Sequence, residues 1–340
     1  MKGSLGGARA VSALIAVLAL TATVLGCAGD DGDADGQGIG AAATAGSGEG
    51  PSGQFSVLTY DVGGLPQEFA RTVRPGESMQ LISPMLNDYD VVLTQDDYDW
   101  YVPSIHNLDV INYHARLRSQ VTHQFRSDSY PGPTTAGVRS DQRPTLQMGD
   151  GLGILSRFPF VSRHPLDDVV RAGWPDCHGS FDAEDEGGGD CVVARGFAMV
   201  TLTLDTDVEI DVYTMQAEVG STPEDRELRT RNFEQLASYI EQHSAGHAVV
   251  LAGATSLDMA GGESETWTSF LERTGLRDTC EALSCDTPDN PDKIAFRDGD
   301  GVVLTPAVLE MPRNRFVDPE GRDLSYRPPV AAQFQWQVAG

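Results

Sequence analysis

Lysine is nearly missing from this chain. Of 340 residues only Lys2 and Lys293 carry an ammonium side chain, and acidic residues outnumber basic ones 50 to 24. The resulting net charge of −26 repels polyanions, so nucleic acid is a poor partner. Long apolar runs are equally scarce, and the one extended run, residues 10–25, is short for a membrane span. There is no CxxC pair and no HExxH helix, which removes the spacings that mark a zinc site. No internal repeat and no second linker-like stretch interrupts the chain after residue 53.

What is present begins with an export pattern: Lys2 and Arg9 precede the apolar run, which ends in VLGC, Val24 to Cys27. This ending resembles the lipobox of bacterial lipoproteins, in which the cysteine is lipidated and becomes the first residue. The resemblance implies a leader over 1–26, a lipid on Cys27, and a place in the bacterial cell envelope, anchored by lipid and facing the periplasm or the exterior. Residues 28–53 contain no large apolar side chain except Ile39, so burial cannot offset the entropy of ordering them. Together with Cys27 they read as a Gly-rich, acidic, disordered tether over 27–53. Residues 54–338 are long enough for one large domain. Four cysteines remain, an even number in an exported chain, and they read as two disulfides. Cys280 and Cys285 close the loop CEALSC, and Cys177 and Cys191 flank an acidic, glycine-rich insertion.

Periodicity places the main elements. FSVLTY (55–60), Tyr89 to Thr94, Gly151 to Leu155 and Val161 read as strands, and Phe197 to Leu204 with Val208 to Met215 read as a hairpin across Asp-Thr-Asp. Val249 to Leu251 is a buried-strand run that stops at Gly253, and the chain beyond it is where such folds place chemistry. Ser78 to Leu86 is a short amphipathic helix. Leu228, Phe233, Leu236 and Ile240 recur at helical spacing in 223–242, with Thr222 as N-cap. A further helix spans about 264–274, and 97–148 reads as long loops with a helix near 104–107.

The stretches FSVLTYDVGGLP, DVVLTQDDY, GDGLGILSRFPF, IDVYTMQAEVG, PDKIAFRDGDGVVLTP and LSYRPPVAAQF follow one another in the order and spacing of a known group. They resemble the endonuclease/exonuclease/phosphatase family, the DNase I-like group that includes the bacterial sphingomyelinases. The resemblance covers about 54–338 and implies an α/β fold, a four-layer α/β/β/α sandwich of two mostly antiparallel sheets. It also implies metal-assisted hydrolysis of phosphoric esters, with carboxylates holding Mg²⁺, a histidine serving the leaving group and an aspartate acting on water.

At the positions that should do this work the residues differ. Where the family has TYN, this chain has Asp61; where Gln-Glu supplies the metal ligand, it has Gln95 and Asp96. THLDAG becomes MQAEVG, read as Gln216 in place of the histidine. GDTN becomes GATS, so Ala254 removes a carboxylate and Ser256 shortens an amide. SDHPP becomes Ser325, Tyr326, Arg327, Pro328, Pro329, which replaces another carboxylate and the second histidine. Asp292 alone is unchanged. Four carboxylates and a dication would give the family's site a net charge of about −2, and Asp61, Asp96 and Asp292 with Arg327 also give about −2. The expectation is that Arg327 takes the vacated centre and pairs with Asp292, standing in for the metal. Tyr326 is expected to fill space beside it.

These substitutions in an intact framework point to a retained fold with abandoned catalysis, a membrane-anchored pseudoenzyme that binds a ligand or partner through the former cleft. A phosphorylated small molecule, a lipid headgroup and a protein all suit that cleft. No cofactor is expected, and Mg²⁺ only if the site is active. His178, beside the proposed disulfide, and Arg195 are candidate substrate contacts. Two alternatives stand: an active Mg²⁺-dependent hydrolase using relocated carboxylates such as Asp97, Glu218 or Asp258, and a purely structural surface domain.

Overall fold

Alternation along the strands decides the architecture, because each strand presents successive side chains to opposite faces. The computed structural model describes residues 50–65, 72, 74–98, 101–104, 109–128, 149–162, 168–179, 191 and 193–339. The leader, Cys27, the tether up to residue 49 and the acidic insertion over 180–190 lie outside the described residues.

In chain order the first strands are β1 (Ser52–Asp61), β2 (Val91–Gln95), β3 (Tyr101–Ser104), β4 (Asp109–Asn112), β5 (Phe125–Arg126), β6 (Gly153–Ser156), β7 (Phe160–Val161) and β8 (Val170–Gly173). They continue with β9 (Gly196–Asp205), β10 (Val208–Gln216), β11 (Ala248–Ala254), β12 (Arg277–Asp278), β13 (Asp292–Arg297), β14 (Val302–Glu310) and β15 (Val330–Val338). The α-helices among the described residues are α1 (Pro75–Met85), α2 (Tyr113–Leu117), α3 (Pro223–His243), α4 (Ser264–Thr274) and α5 (Thr279–Leu283). One sheet runs β14-β15-β1-β2-β6-β5, and the other runs β12-β13-β11-β10-β9-β7 with β8 also paired to β9. β1 with β2 and β10 with β11 are parallel, and the other pairings in these two sheets are antiparallel.

Phe55 and Val57 of β1, Leu93 of β2, Val212 of β10, Val250 of β11 and Phe296 of β13 share one buried layer between the sheets. The alternate residues face outward. Leu58, Tyr60 and Val92 pack under α1 and α2 against Met79, Ile82 and Leu117. Tyr213, Val249 and Leu251 pack under α3 and α4 against Phe233, Leu236 and Trp267. Each such side chain contributes about 1.5–3 kcal/mol on burial, so both faces of both sheets are held by apolar contact. The result is helix, sheet, sheet, helix, the expected four-layer sandwich.

Helix α3 starts as its sequence implies: Thr222 caps the Asp225 amide while the Asp225 side chain returns a bond to the Thr222 amide. Both disulfides form, with Cα separations of 5.5 Å for Cys177–Cys191 and 4.9 Å for Cys280–Cys285. Of the stretch read as a helix near 104–107, Ser104 ends strand β3, and residues 105–107 lie outside the described residues. One expectation is corrected. CEALSC, read as a loop, contains α5, whose N-cap Asp278 accepts from the Cys280 and Glu281 amides. Elements this short depend on neighbours in space, which local periodicity does not report.

One buried ion pair ties α3 to α4's leading turn and to the chain leaving β10. Arg229 donates from Nε to Glu263 Oε1 at 2.8 Å and from Nη2 to Oε2 at 2.7 Å. Its Nη1 donates to the carbonyls of Glu218 and Gly220. Replacing Arg229 with Ala would strand the Glu263 carboxylate and two carbonyls. Urea unfolding of Arg229→Ala is expected to show a loss of about 3–5 kcal/mol; a loss below about 1 kcal/mol would mean the pair is not structural.

Candidate functional site

The site forms where the in-facing rows of the two sheets run past their apolar layer. Asp61 continues the row of Phe55 and Val57, Gln95 that of Leu93, Gln216 that of Val212, and Ala254 that of Val250, while Asp292 precedes Ile294. Register sets them abreast: Asp61 pairs with Gln95, Gln216 with Ala254, and Ala254 with Asp292. At Gly253 a Cβ would stand 2.2 Å from the Met215 carbonyl oxygen, so only glycine lets β11 approach β10 here.

Polar bonds join the sheets at this end. Gln95 Nε2 donates to Thr214 Oγ1 at 2.9 Å, and Gln216 Nε2 donates to Asp96 Oδ1 at 2.7 Å. Tyr98 OH donates to the same Asp96 oxygen at 2.9 Å. Asp96 and Ser256 both adopt left-handed backbone, with φ of 54° and 55°. Such strain costs about 1–3 kcal/mol per residue and concentrates at functional sites. The in-facing side chains at this end of β10 are Thr214 and Gln216, so no histidine is presented there.

Arg327 enters from the loop before β15. Its Nη1 donates to Asp292 Oδ1 at 2.9 Å, its Nε stands 3.5 Å from Asp61 Oδ2, and its Nη2 donates to Ser256 Oγ at 3.4 Å. The Arg327 side chain is 13% exposed and the Asp292 side chain 3%. Tyr326 OH donates to Asp61 Oδ2 at 2.6 Å, and Ser325 Oγ donates to the Asp61 carbonyl. Two buried acceptors at the site have no partner, Asp292 Oδ2 and Gln216 Oε1. The Gln216 amide orientation follows from its bond to a carboxylate, which only accepts.

Electrostatics follow burial. Loss of water raises the Asp61 carboxyl well above its ordinary range, the Asp96 charge raises it further, and Arg327 offsets only part. Burial likewise raises Asp292 against the opposing pull of Arg327. Burial lowers the Arg327 guanidinium, but Asp292, Tyr326 and Asp61 outweigh it and leave its pKa raised, so it stays charged. Tyr326 is raised by burial and by Asp61, so its phenol stays protonated and serves as a donor.

The remaining residues singled out by sequence have other partners. His178 Nδ1 lies 2.8 Å from Asp225 Oδ1 at the start of α3, with the imidazole 41% exposed. That bond is the main cause of its raised pKa. Arg195 is buried, with Nη1 3.8 Å from Glu218 Oε1. Asp97 accepts from Arg118 and shares a bond with His114; burial alone would raise it, but its contacts with His114, Arg118 and Thr94 outweigh burial and hold it at about 2. Asp258 caps the Gly261 amide from an exposed position. Asp97, Glu218 and Asp258 therefore have separate partners. Among the described residues no group of three or more His, Cys, Asp or Glu side chains could hold a metal ion.

Mg²⁺ does not fit the arrangement that is present. It needs near-octahedral oxygens at about 2.0–2.1 Å, whereas Asp61 and Asp292 face a guanidinium. A dication about 4 Å from that guanidinium would meet roughly 8 kcal/mol of repulsion at an effective dielectric near 20. Tyr98, which completes the Asp96 contacts, and Thr214, the cross-sheet partner of Gln95, are not legible as site residues in the sequence. Their chain neighbours offer no signal beyond the acidic stretch QDDY.

No protein-family model matches the chain. It is similar to proteins named sphingomyelinase from Mycobacterium bovis and Mycobacterium tuberculosis, at 26% identity over 304 residues, which is 84% of this chain and 53% of theirs. The chain thus spans about half the length of these relatives. Among solved structures it is similar to beta toxin from Staphylococcus aureus, with a TM-score of 0.55 and 14% identity over 82% of this chain and 99% of that one. Sphingomyelinase C from Streptomyces griseocarneus gives a TM-score of 0.55 and 18% identity over 82% and 99%. Another beta toxin structure, at a TM-score of 0.54 and 14% identity over the same shares, holds bound magnesium ions. These likenesses establish the fold, a DNase I-like sandwich.

The raised carboxyls make stability depend on pH with a definite sign. A carboxyl whose folded pKa exceeds its unfolded value binds its proton more tightly when folded. Its stabilising contribution is full below the ordinary value of 3.8 and is lost as pH rises through the raised folded value. Asp61→Asn removes this liability while leaving Tyr326 an acceptor. The stability difference, variant minus parent, is expected to grow in the variant's favour between about pH 4 and pH 8, by about 1.4 kcal/mol for every tenfold by which folding tightens the Asp61 proton. A flat difference in urea unfolding across that range would refute the assignment.

Proposed function

We propose that this DNase I-like chain does not hydrolyse phosphoric esters and acts as a binding module, with its former catalytic centre closed by its own cation. The observation that carries the reading is the guanidinium of Arg327, 2.9 Å from Asp292 and 3.5 Å from Asp61. It offsets part of the charge of these carboxylates from within the chain. The remaining chemistry is consistent: Ala254 offers no base to act on water, and neither Thr214 nor Gln216 can transfer a proton to a leaving oxygen.

A second reading has its own support. The relatives at 26% identity are named sphingomyelinases, which favours a working phosphodiesterase and makes sphingomyelin the substrate to try first. The purified protein is expected to give no turnover of sphingomyelin or of bis(p-nitrophenyl) phosphate with Mg²⁺ or Mn²⁺, and no saturable heat on titration with either ion. A variant carrying Ala254→Asp, Tyr326→Asp and Arg327→His is expected to regain metal binding. Turnover by the parent that is abolished by EDTA would overturn the first reading and establish the second.

We further propose that the domain is held at a membrane of the bacterial envelope by lipid on Cys27, with residues 28–53 as spacer. Among the described residues no helix is long and apolar enough to cross a membrane. Cys27→Ala is expected to move the protein from the membrane fraction to the soluble fraction and to abolish incorporation of labelled palmitate. Retention of both in the variant would refute the anchor.

A further inference from the structure

Successive side chains of β13 point to opposite faces of its sheet. Asp292 turns inward to Arg327, and Lys293, the next residue, turns outward to Asp278, the N-cap of α5. On that outer face a groove of about 1010 Å³ opens between α4, β12 and α5, at the upper end of the range for ligand sites. Met259, Trp267, Leu271, Leu276, Ala282 and Pro288 give it a hydrocarbon wall.

Lys293 is the one lysine of residues 54–338, and its side chain is 4% exposed. An ammonium carries three donors. One goes to the Pro288 carbonyl, while the Asp278 carboxylate, 4.0 Å from Nζ, is beyond hydrogen-bonding reach. Two donors are therefore without a partner among the described residues, and they sit between Pro288 and Asp278, which line the groove together with Lys293 itself. Burial lowers the Lys293 pKa against the pull of Asp278 and Asp289, so the protein leaves this charge incompletely compensated. Asp278 does not depend on the ammonium, because it accepts from the Cys280 and Glu281 amides and from Trp267 Nε1. The other charged residues of the lining are exposed: Arg277 pairs with Asp298, and Glu272 and Glu281 reach water.

A buried donor left unpaired is costly, and an apolar wall gains by being covered. A plain hydrocarbon covers the wall and leaves the donors unpaired. An amine brings a second cation beside Lys293. A hydrocarbon chain headed by a carbonyl oxygen answers both features. We infer that this groove binds a single acyl chain, a fatty acid or its neutral amide or ester, with the carbonyl oxygen accepting from Lys293 Nζ and the chain lying on Trp267, Leu271 and Leu276.

The inference goes beyond the non-hydrolytic reading and does not rest on it, since the groove lies on the face of the sheet opposite the Arg327–Asp292 pair. Calorimetric titration of the full chain compares octanoate, octanamide and octylammonium at neutral pH and fixed ionic strength, each below the concentration at which it aggregates. Saturable one-to-one binding of octanoate or octanamide is expected, with none of octylammonium, and the two acyl arms tell an anionic head from a neutral one. Lys293→Met, which keeps the stem and removes the donors, is expected to weaken acyl binding by at least about tenfold. Thr268→Trp, which narrows the groove from an exposed position on α4, is expected to weaken it comparably, with urea unfolding confirming that each variant folds. Absence of saturable binding by both acyl ligands, equal binding of octylammonium, or acyl binding unchanged in either folded variant would overturn the inference. The hydrolysis assay is read separately, so neither result masks the other.

Discussion

Everything at the site depends on the dry contact between two sheets. Their in-facing rows interlock through Phe55, Val57, Val212, Val250 and Phe296, and a shift of one residue in any strand would turn its whole row outward. Because the rows are held in register, the side chains at their ends have little freedom of position. Asp61, Gln95, Gln216, Ala254 and Asp292 are therefore delivered to one edge by packing that lies several residues away from them. A scaffold of this kind keeps its shape when the residues at its edge are exchanged, which is how the framework and the chemistry can part company.

The exchange at this edge is electrostatically coherent. Three buried carboxylates in one place cannot all ionise without a compensating charge, since burial disfavours each and they disfavour one another. Here a guanidinium supplies part of that charge, and it is covalently part of the chain, so it is never diluted and never leaves. Compensation remains incomplete, which is visible in the raised Asp61 and Asp292 carboxyls and in the unpaired Asp292 oxygen.

Much of the fold is legible in the sequence because it rests on long, regular patterns. The 21-residue helix α3, with its Thr222 cap and apolar residues at helical spacing, and the β9–β10 hairpin both announce themselves locally. So do the two disulfides, once the four cysteines after residue 27 are read as two pairs. The five-residue helix α5 and the β3–β4 pair give no such signal, because elements of that length draw their stability from neighbours and have no period long enough to detect. At the site, residue types can be checked against expected roles one position at a time. Contacts such as Tyr98 to Asp96 or Arg118 to Asp97 join residues whose types carry no hint of partnership.

By itself the sequence determined what two positions can offer: an alanine at 254 cannot be a base, and an arginine at 327 is always charged. Those are properties of side chains and need no coordinates. Only the tertiary structure decided where the charge of Arg327 goes, which carboxyls it faces, and that Asp292 keeps one buried oxygen unpaired. The reason is that hydrogen bonding and desolvation are matters of distances between strands far apart in sequence, and those distances exist only once the two sheets have closed on each other.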